Sequence, residues 1–528
     1  MRQLPLHGSL DRSYGRTHVA GKIAPVIFSI FLKKDIYTFT DFLIEIKTEK
    51  RGKFMEKDMI DYCLEYAKSK KIEYAEAKAV DASSESMVLK NGLLDAYTAA
   101  TDSGFCVRIL AEGGLGFASS NKWTKQEAKR IVNMAYKLAT SAKRKNKIKF
   151  AEEKAIKTKW DVKQKKKIED VSSESKIKRL LEADKAIMSQ KANVAARMLI
   201  YVTTLVEKYF VNTEGSAISS FVPRIEVTPY GITVVEAGKT EQLPYKWYGY
   251  TGGLEAFDAW KLDEDLAREV KVLQRLLKEG KAIKPGKMDL VCGPEVTGIA
   301  CHESCGHPME ADRILGREMS QAGRSFVYQG GPYWLGTRIG SDLVTIIDDP
   351  TIENKYGYYL YDDEGIKARP RYLYKNGVLN EFLHNRETAA RMGTRSNGAS
   401  RSVNYDRESI VRMANTFLQP GNMNDEELFE DIKYGVYMNS FNEWNIDDVR
   451  FNQRYIGREA YLIEKGELKT PVPRPIIETT TKTFWMSVDA VSKKVEFVSA
   501  ICGKGDPEQG VPVDTGGPCA RLRRVYIK

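Results

Sequence analysis

Between Ile299 and Pro308 the chain cannot stay a regular α-helix and still use the residues it carries there. The stretch reads Ile299-Ala300-Cys301-His302-Glu303-Ser304-Cys305-Gly306-His307-Pro308 and holds two of the five histidines in 528 residues. Upstream, Gly293-Pro294 opens a helix, with proline at the first helical position, where its missing N–H has no partner to lose. Residues five apart on a regular helix are rotated by about 140° and separated by about 7.5 Å. The imidazoles of His302 and His307 could not then share one ion bound at about 2.0–2.1 Å. Gly306 favours a helix stop with positive φ, and Pro308 cannot extend a helix and biases His307 away from helical dihedrals. Two conformations unite the rings: a helix ending near Cys305 with His307 swinging back, or a π-bulge between the histidines. The competing reading is a plain helix end with two unrelated histidines.

If the rings do meet, the chemistry is that of a metal-dependent hydrolase. Glu303 is the right residue type for a general base beside a metal. Two histidines are an incomplete site, because catalytic zinc has three protein ligands and one open position. His384, Glu310, Asp312 and the thiols are candidates for the third. Cys301 and Cys305 are expected to face the core, and Cys305 is poorly placed to act as a nucleophile with His307 as its base. Cys502-Gly503-Lys504-Gly505 ends an apolar run at 495–501, either at an exposed sheet rim where a ligand could sit or as a buried structural cysteine.

The rest of the chain bounds the fold and the partners. Its length calls for two or three domains. The net charge of +11 suggests nucleic acid, but the charge is local. Residues 1–54 carry ten Lys/Arg against five Asp/Glu and residues 141–180 carry fifteen against six, leaving the remainder slightly acidic. The second stretch lacks the interleaved aromatics and arginines of a single-strand binder and reads as a solvated connector; no nucleic-acid partner is expected. Seven cysteines, an odd number without framework spacing, point to reduced thiols in the cytoplasm. The apolar run at 23–32 is too short to span a bilayer and lacks a signal-peptide cleavage site, so no membrane association is expected. Residues 1–54 are expected to be an extraneous or disordered extension, because a helix begins directly after Met55.

Met59, Ile60, Cys63, Leu64 and Ala67 have amphipathic-helix spacing. Short strands should follow at 74–80, 86–89, 105–110 and 115–118, with turns at Asn91-Gly92, 102–104 and Gly113-Gly114. Thr124-x-x-Glu127 is a capping box for a helix burying Ala128, Ile131, Val132, Ala135, Leu138 and Ala139. Strands are expected at 195–205, 207–212, 217–228 and 230–236, a mobile glycine-rich loop at 248–254 and a helix over 262–280. Lys284-Pro285-Gly286 marks a domain boundary. The fold expected is α+β: an N-terminal helix and antiparallel-sheet domain over 55–283, then a mostly β, barrel- or sandwich-like domain over 284–528 with strands at 343–347, 358–361, 378–384 and 459–464.

Taken together, these residues resemble a known family. His302-Glu303-Ser304-Cys305-Gly306-His307, followed by Met309-Glu310-Ala311-Asp312, is similar to the His-Glu-x-x-x-His signature of TldD/PmbA metallopeptidases. Asn91-Gly92, Asp102–Phe105, Asn212–Gly215, Asp362–Gly365, Arg412–Thr416, Glu459–Glu464, Cys502-Gly503-Lys504 and Gln509–Val513 agree in the family's order. The resemblance runs from about Met55 to the C-terminus and departs at Pro308, where glycine is common. It implies a TldD-like catalytic subunit holding one zinc ion on His302, His307 and Cys502, with a metal-bound water as nucleophile and Glu303 as general base. It also implies an enclosed cavity that admits short or unfolded peptides, and a PmbA-like (TldE) partner in a heterodimer, with a homodimer as the other option. The alternative is a non-catalytic, metal-stabilised regulatory or peptide-binding subunit.

Overall fold

The computed structural model describes residues 57–142, 146–317, 323–328 and 330–528. The extension expected at 1–54 lies outside the described residues. The first amphipathic pattern forms α1 (Lys57–Lys68), with Met59, Ile60, Cys63, Leu64 and Ala67 buried as their spacing requires. Asn91 and Gly92, at φ 51° and 81°, turn a two-residue hairpin. The strands it joins are far longer than expected: β1 (Tyr74–Lys90) and β2 (Leu93–Ala111). The turn expected at 102–104 is instead the middle of β2, with Asp102, Ser103 and Gly104 opposite Ala82, Asp81 and Val80. Pairing with β1 holds this backbone extended, and Asn404 and Tyr405 donate to the Asp102 carboxylate at 2.5 and 3.0 Å, so it does not bond back to its own chain as in a turn. The next reversal falls at Glu112-Gly113, before β3 (Gly114–Ser120).

Helix α2 (Lys125–Ser141) is capped by Thr124, whose hydroxyl accepts from the Glu127 N–H at 3.1 Å. Only half of the capping box forms, because the Glu127 carboxylate bonds Ser120 and Arg130 instead. Leu138, expected inside, is 45% exposed. The lysine-rich connector includes a strand, β4 (Lys157–Asp161), before α3 (Ser173–Met188). The four strands expected next merge into β5 (Asn193–Asn212) and β6 (Ala217–Glu236). They complete a sheet of order β3-β2-β1-β5-β6 whose far edge is shared by β4, β7 (Lys239–Tyr245) and β8 (Tyr248–Thr251). The loop expected to be mobile at 248–254 therefore contains a strand that pairs with Arg224–Val227 and buries Tyr248 and Thr251. One end of these long strands packs Ala77, Phe105 and Ile109 under α1 and α2. The other packs Met87, Tyr201 and Ile225 under α3 and α4 (Leu262–Glu279).

The second half is mostly β, in keeping with the α+β expectation. A nine-stranded sheet contains β9 (Gly286–Cys292), and a six-stranded sheet ends on the strands Gln509–Gly517 and Glu496–Lys504. Several strands are shorter than expected: Ile346–Asp348, Val378–Leu379 and Ala460–Glu464. At 358–361 no strand forms, and Tyr361 makes only an isolated bridge to Lys367. The strand expected at 495–501 instead runs on to Lys504, so Cys502 lies within it and is buried, not at an exposed rim. Among the described residues no helix is long and apolar enough to cross a membrane.

Helix α5 (Pro294–Cys301) carries Pro294 at its start and shares one core with both sheets, through Val296, Leu290 and Val436 on one side and Leu418 and Val513 on the other. Its approach to the six-stranded sheet is set by Gly298: a Cβ there would lie 2.7 Å from the Gly516 nitrogen. Backbone cannot yield to that overlap as a side chain can, and overpacking costs about 1–3 kcal/mol. Gly298→Ala is therefore expected to lower the denaturant midpoint. An unchanged midpoint would show that α5 can slide off the strand.

Candidate metal centre

At Cys301 the chain stops being α-helical without ending. His302–Gly306 is one π-helical turn, closed by the His307 N–H donating to the His302 carbonyl. A short 3₁₀ turn, His307–Met309, follows with Pro308 inside it. The wider π turn brings residues five apart over one another, and the two imidazole rings stand 4.9 Å apart at 80°. Of the two conformations expected, the π-bulge is the one adopted. Gly306 does not take positive φ (it lies at −68°). Its missing Cβ instead leaves room for the Met413 thioether. The turn is braced by Ser304, whose hydroxyl donates to the Ala300 carbonyl (2.6 Å) and accepts from the Trp485 indole (2.9 Å), while the Tyr374 hydroxyl donates to its carbonyl (3.1 Å).

The third group comes from nearly two hundred residues away. His302, His307 and Cys502 are all buried, and their ligand-type atoms lie within 4.8 Å of one another. His307 Nε2 is 3.6 Å from Cys502 Sγ. Nitrogen and sulfur ligands of a tetrahedral zinc ion, at about 2.0 and 2.3 Å from it, stand about 3.5 Å apart. His302 Nδ1 is buried with no hydrogen-bond partner, and one ring nitrogen of His302 is among the ligand-type atoms that converge. The donor set, two imidazoles and a thiol, suits zinc. Burial alone would raise the Cys502 thiol, but His307, His302 and Arg412 outweigh it and hold the group well below the usual thiol range. Burial opposes protonation of His302, and the Cys502 charge overrides that and raises it. A thiolate among imidazoles is what metal binding requires, with protons to release. Arg412 fixes the thiolate's strand by donating to the Cys502 carbonyl and, at 2.7 Å, to that of Gln509.

Glu303 is the second residue of this turn. Its carboxylate accepts from Arg450 Nη1 at 2.6 Å and from the Trp444 indole at 3.2 Å. Burial pushes Glu303 up, and Arg450, His307, His302 and Trp444 together bring it below the ordinary carboxylate value, so it is ionised and able to accept a proton.

The other candidate ligands have different work. Glu310 Oε2 receives His307 Nδ1 at 3.0 Å, which orients the ring so that Nε2 faces Cys502. Lys504, fully buried, reaches Glu310 at 3.2 Å, Asp312 at 2.7 Å and the Val411 carbonyl at 2.8 Å. Cys502 and Lys504 are two apart on one strand and so share a face; one strand brings the thiolate to the histidines and a cation to the acids behind them. His384 is not in the cluster. It contacts Thr388 at 3.1 Å, and burial lowers its pKa to about 4. Cys301 and Cys305 lie in the core, as expected, and burial raises both thiols. Sequence reasoning gave no role to Arg450, Trp444, Arg412 or Lys504. Arg412 and Lys504 stand in the motifs that carry the family resemblance, and Lys504 also has i+2 spacing from Cys502; Arg450 and Trp444 had no signal.

Comparisons with known proteins place this geometry in context. The chain matches family models described as PmbA/TldA metallopeptidase domain 1 over residues 75–139, the central domain over 166–275 and the C-terminal domain over 285–528. A metalloprotease of Methanothermobacter thermautotrophicus is 32% identical over 458 residues, covering 87% of this chain and 96% of that protein. A metalloprotease of Methanocaldococcus jannaschii is 31% identical, covering 85% and 96%. A zinc metalloprotease TldD homolog of Saccharolobus solfataricus is 27% identical, covering 81% and 90%. Among solved structures, TldE from Thermococcus kodakarensis superposes with a TM-score of 0.67 at 16% identity, over 89% of this chain and 99% of that one, a likeness of fold.

Proposed function

Because this chain belongs to the PmbA/TldD metallopeptidase family, we propose that it is a zinc-dependent peptidase whose ion is held by His302, His307 and Cys502. The observation that carries this reading is the convergence of those three buried groups within 4.8 Å across a π turn. Zinc, when bound there, would polarise the scissile carbonyl and acidify the attacking water. Glu303 takes a proton from the water and passes it to the leaving amine. Arg450 and Trp444 hold the Glu303 carboxylate in one orientation and keep it ionised. Glu496–Lys504 is the last strand of its six-stranded sheet, and an extended peptide pairing with a strand edge of this sheet would be held through backbone hydrogen bonds. That mode accepts many side chains, in keeping with short or unfolded peptides as substrates. A PmbA-like subunit as partner, enclosing the site in a cavity, and a cytoplasmic setting for seven free cysteines complete the proposal.

The direct test is elemental analysis of the purified protein together with peptide hydrolysis before and after a chelator. Stoichiometric zinc and chelator-sensitive cleavage are expected; cleavage indifferent to metal removal would sink the reading. Glu310 gives a second prediction. Carboxylates that orient ligating histidines are worth about 10–100-fold in metal affinity. Glu310→Gln, which keeps an acceptor and the packing, is expected to weaken zinc binding within that range in a competition titration. An unaltered affinity would remove Glu310 from the support of His307.

A further inference from the structure

Away from the histidines, a cavity of about 120 Å³ lies between the first sheet and the segments around 359–363, 401–403 and 510–512. Four cations line it: Lys78 on β1, Lys208 on β5, Arg224 on β6, and Arg401. Among the described residues the one carboxylate in ion-pair range of any of them is Asp363, 2.9 Å from Lys208 and 3.4 Å from Lys78. Asp362 also lines the cavity, but both its oxygens are taken by backbone N–H groups of Glu364, Ile366 and Ser400 at 2.9–3.0 Å. Arg224 donates only to carbonyls, those of Tyr356 and Tyr358, at 3.3 Å each. Arg401 likewise donates to the Met413 and Pro512 carbonyls at 2.7 and 2.8 Å. Arg401 also lies over the Tyr359 ring and Lys78 donates to Ser402 at 2.6 Å, but neither contact nor a carbonyl dipole carries a negative charge, so four cations, Lys78 and Arg401 buried and Lys208 and Arg224 half-buried, face one paired carboxylate. Burial and the like charge of Arg401 push Arg224 down to about 10. Burial lowers Lys208 too, with Lys78 and Arg224 adding to it against the pull of Asp363.

We propose that this cavity binds a compact oxyanion, a carboxylate or phosphate group, between Lys208, Arg224 and Arg401. Liquid water occupies about 30 Å³ per molecule, so the space suits a group of a few heavy atoms. Charge-assisted hydrogen bonds from an ammonium and guanidinium arms are the usual means of holding such a group. Trp160, Phe210 and Tyr361 form apolar parts of the cavity's walls. The oxyanion could be a free inorganic anion or the C-terminal carboxylate of a peptide.

Unfolding of the metal-loaded full chain, followed at constant ionic strength, tests this. Inorganic phosphate replacing chloride is expected to raise the midpoint by about 2 °C or more, saturating with concentration. A short peptide with a free C-terminus that stabilises where its amide does not would identify the peptide as a source; a response to phosphate with none to either peptide would identify the inorganic anion. Lys208→Gln should abolish the response while leaving zinc content unchanged. Ser220 lies opposite Lys208 in the β5–β6 register and lines the cavity. Ser220→Asp should therefore supply the missing charge, raising the midpoint in chloride and removing the anion response. No stabilisation by phosphate or free-acid peptide, or a response that survives Lys208→Gln, would overturn the proposal.

Discussion

Replacing Glu303 with glutamine is expected to reduce peptide hydrolysis by about 10² to 10⁴-fold, the usual contribution of a general base, and to leave zinc content unchanged. Glutamine has the same shape, and its one amide oxygen can still accept from Arg450, which donates to one carboxylate oxygen at 2.6 Å, while the bond from Trp444 to the other oxygen at 3.2 Å is lost. What it cannot do is take a proton. Because Glu303 is not among the three converging ligand groups, the ion's site should survive the change. The measurement is kcat on a short peptide beside the metal stoichiometry of the same preparation. Undiminished turnover would remove Glu303 from the mechanism and favour a non-catalytic, metal-stabilised subunit.

Cys502→Ala carries the second large effect. It deletes the one ligand that comes from the far end of the chain, and zinc should be lost on dialysis to the same extent as in His307→Ala. The loss should exceed the roughly 10–100-fold weakening expected of Glu310→Gln, which removes only support. Fold should persist, because Cys502 lies within a paired strand whose partner residue is Val511 and alanine fits a strand interior. Stoichiometric zinc in Cys502→Ala would show that the thiolate is not a ligand. Far-ultraviolet circular dichroism on the same sample separates metal loss from unfolding.

How much of this was legible in the sequence depended on how local each signal was. The Asn91-Gly92 hairpin, Pro294 at the start of α5 and the Thr124 cap were read correctly, because each is set by the dihedral preferences of two to four residues. The 102–104 segment was misread for the same reason. Asp-Ser-Gly has turn chemistry, yet pairing with β1 keeps it extended, and Asn404 and Tyr405 take up the Asp102 carboxylate. Tyr248–Thr251 was missed as a strand because its glycine-rich composition says nothing of β6, the edge it joins. At the centre, the spacing of His302 and His307 said that a regular helix would fail but left open which irregularity would replace it. The braces that accompany the π turn, Trp485 and Tyr374, lie 181 and 70 residues from Ser304.

The sequence by itself determined the kinds of chemistry available: two histidines with a glutamate between them, a helix that had to deform, reduced thiols, and charge confined to a connector and an extension. These follow from residue types and short-range backbone geometry. The residues alone left the third ligand open and the family resemblance implied Cys502; the tertiary structure brings it, 195 residues from His307, to the histidines. It also decided that Glu310 and Lys504 stand behind His307 and that Arg450 and Trp444 hold Glu303. The contacts of Cys502 and Lys504 come from the six-stranded sheet, on which α5 lies at Gly298 and Gly516, whereas Trp444 comes from a strand of the nine-stranded sheet. A packing of that kind is set by the shapes of whole elements, and no stretch of a few residues encodes it.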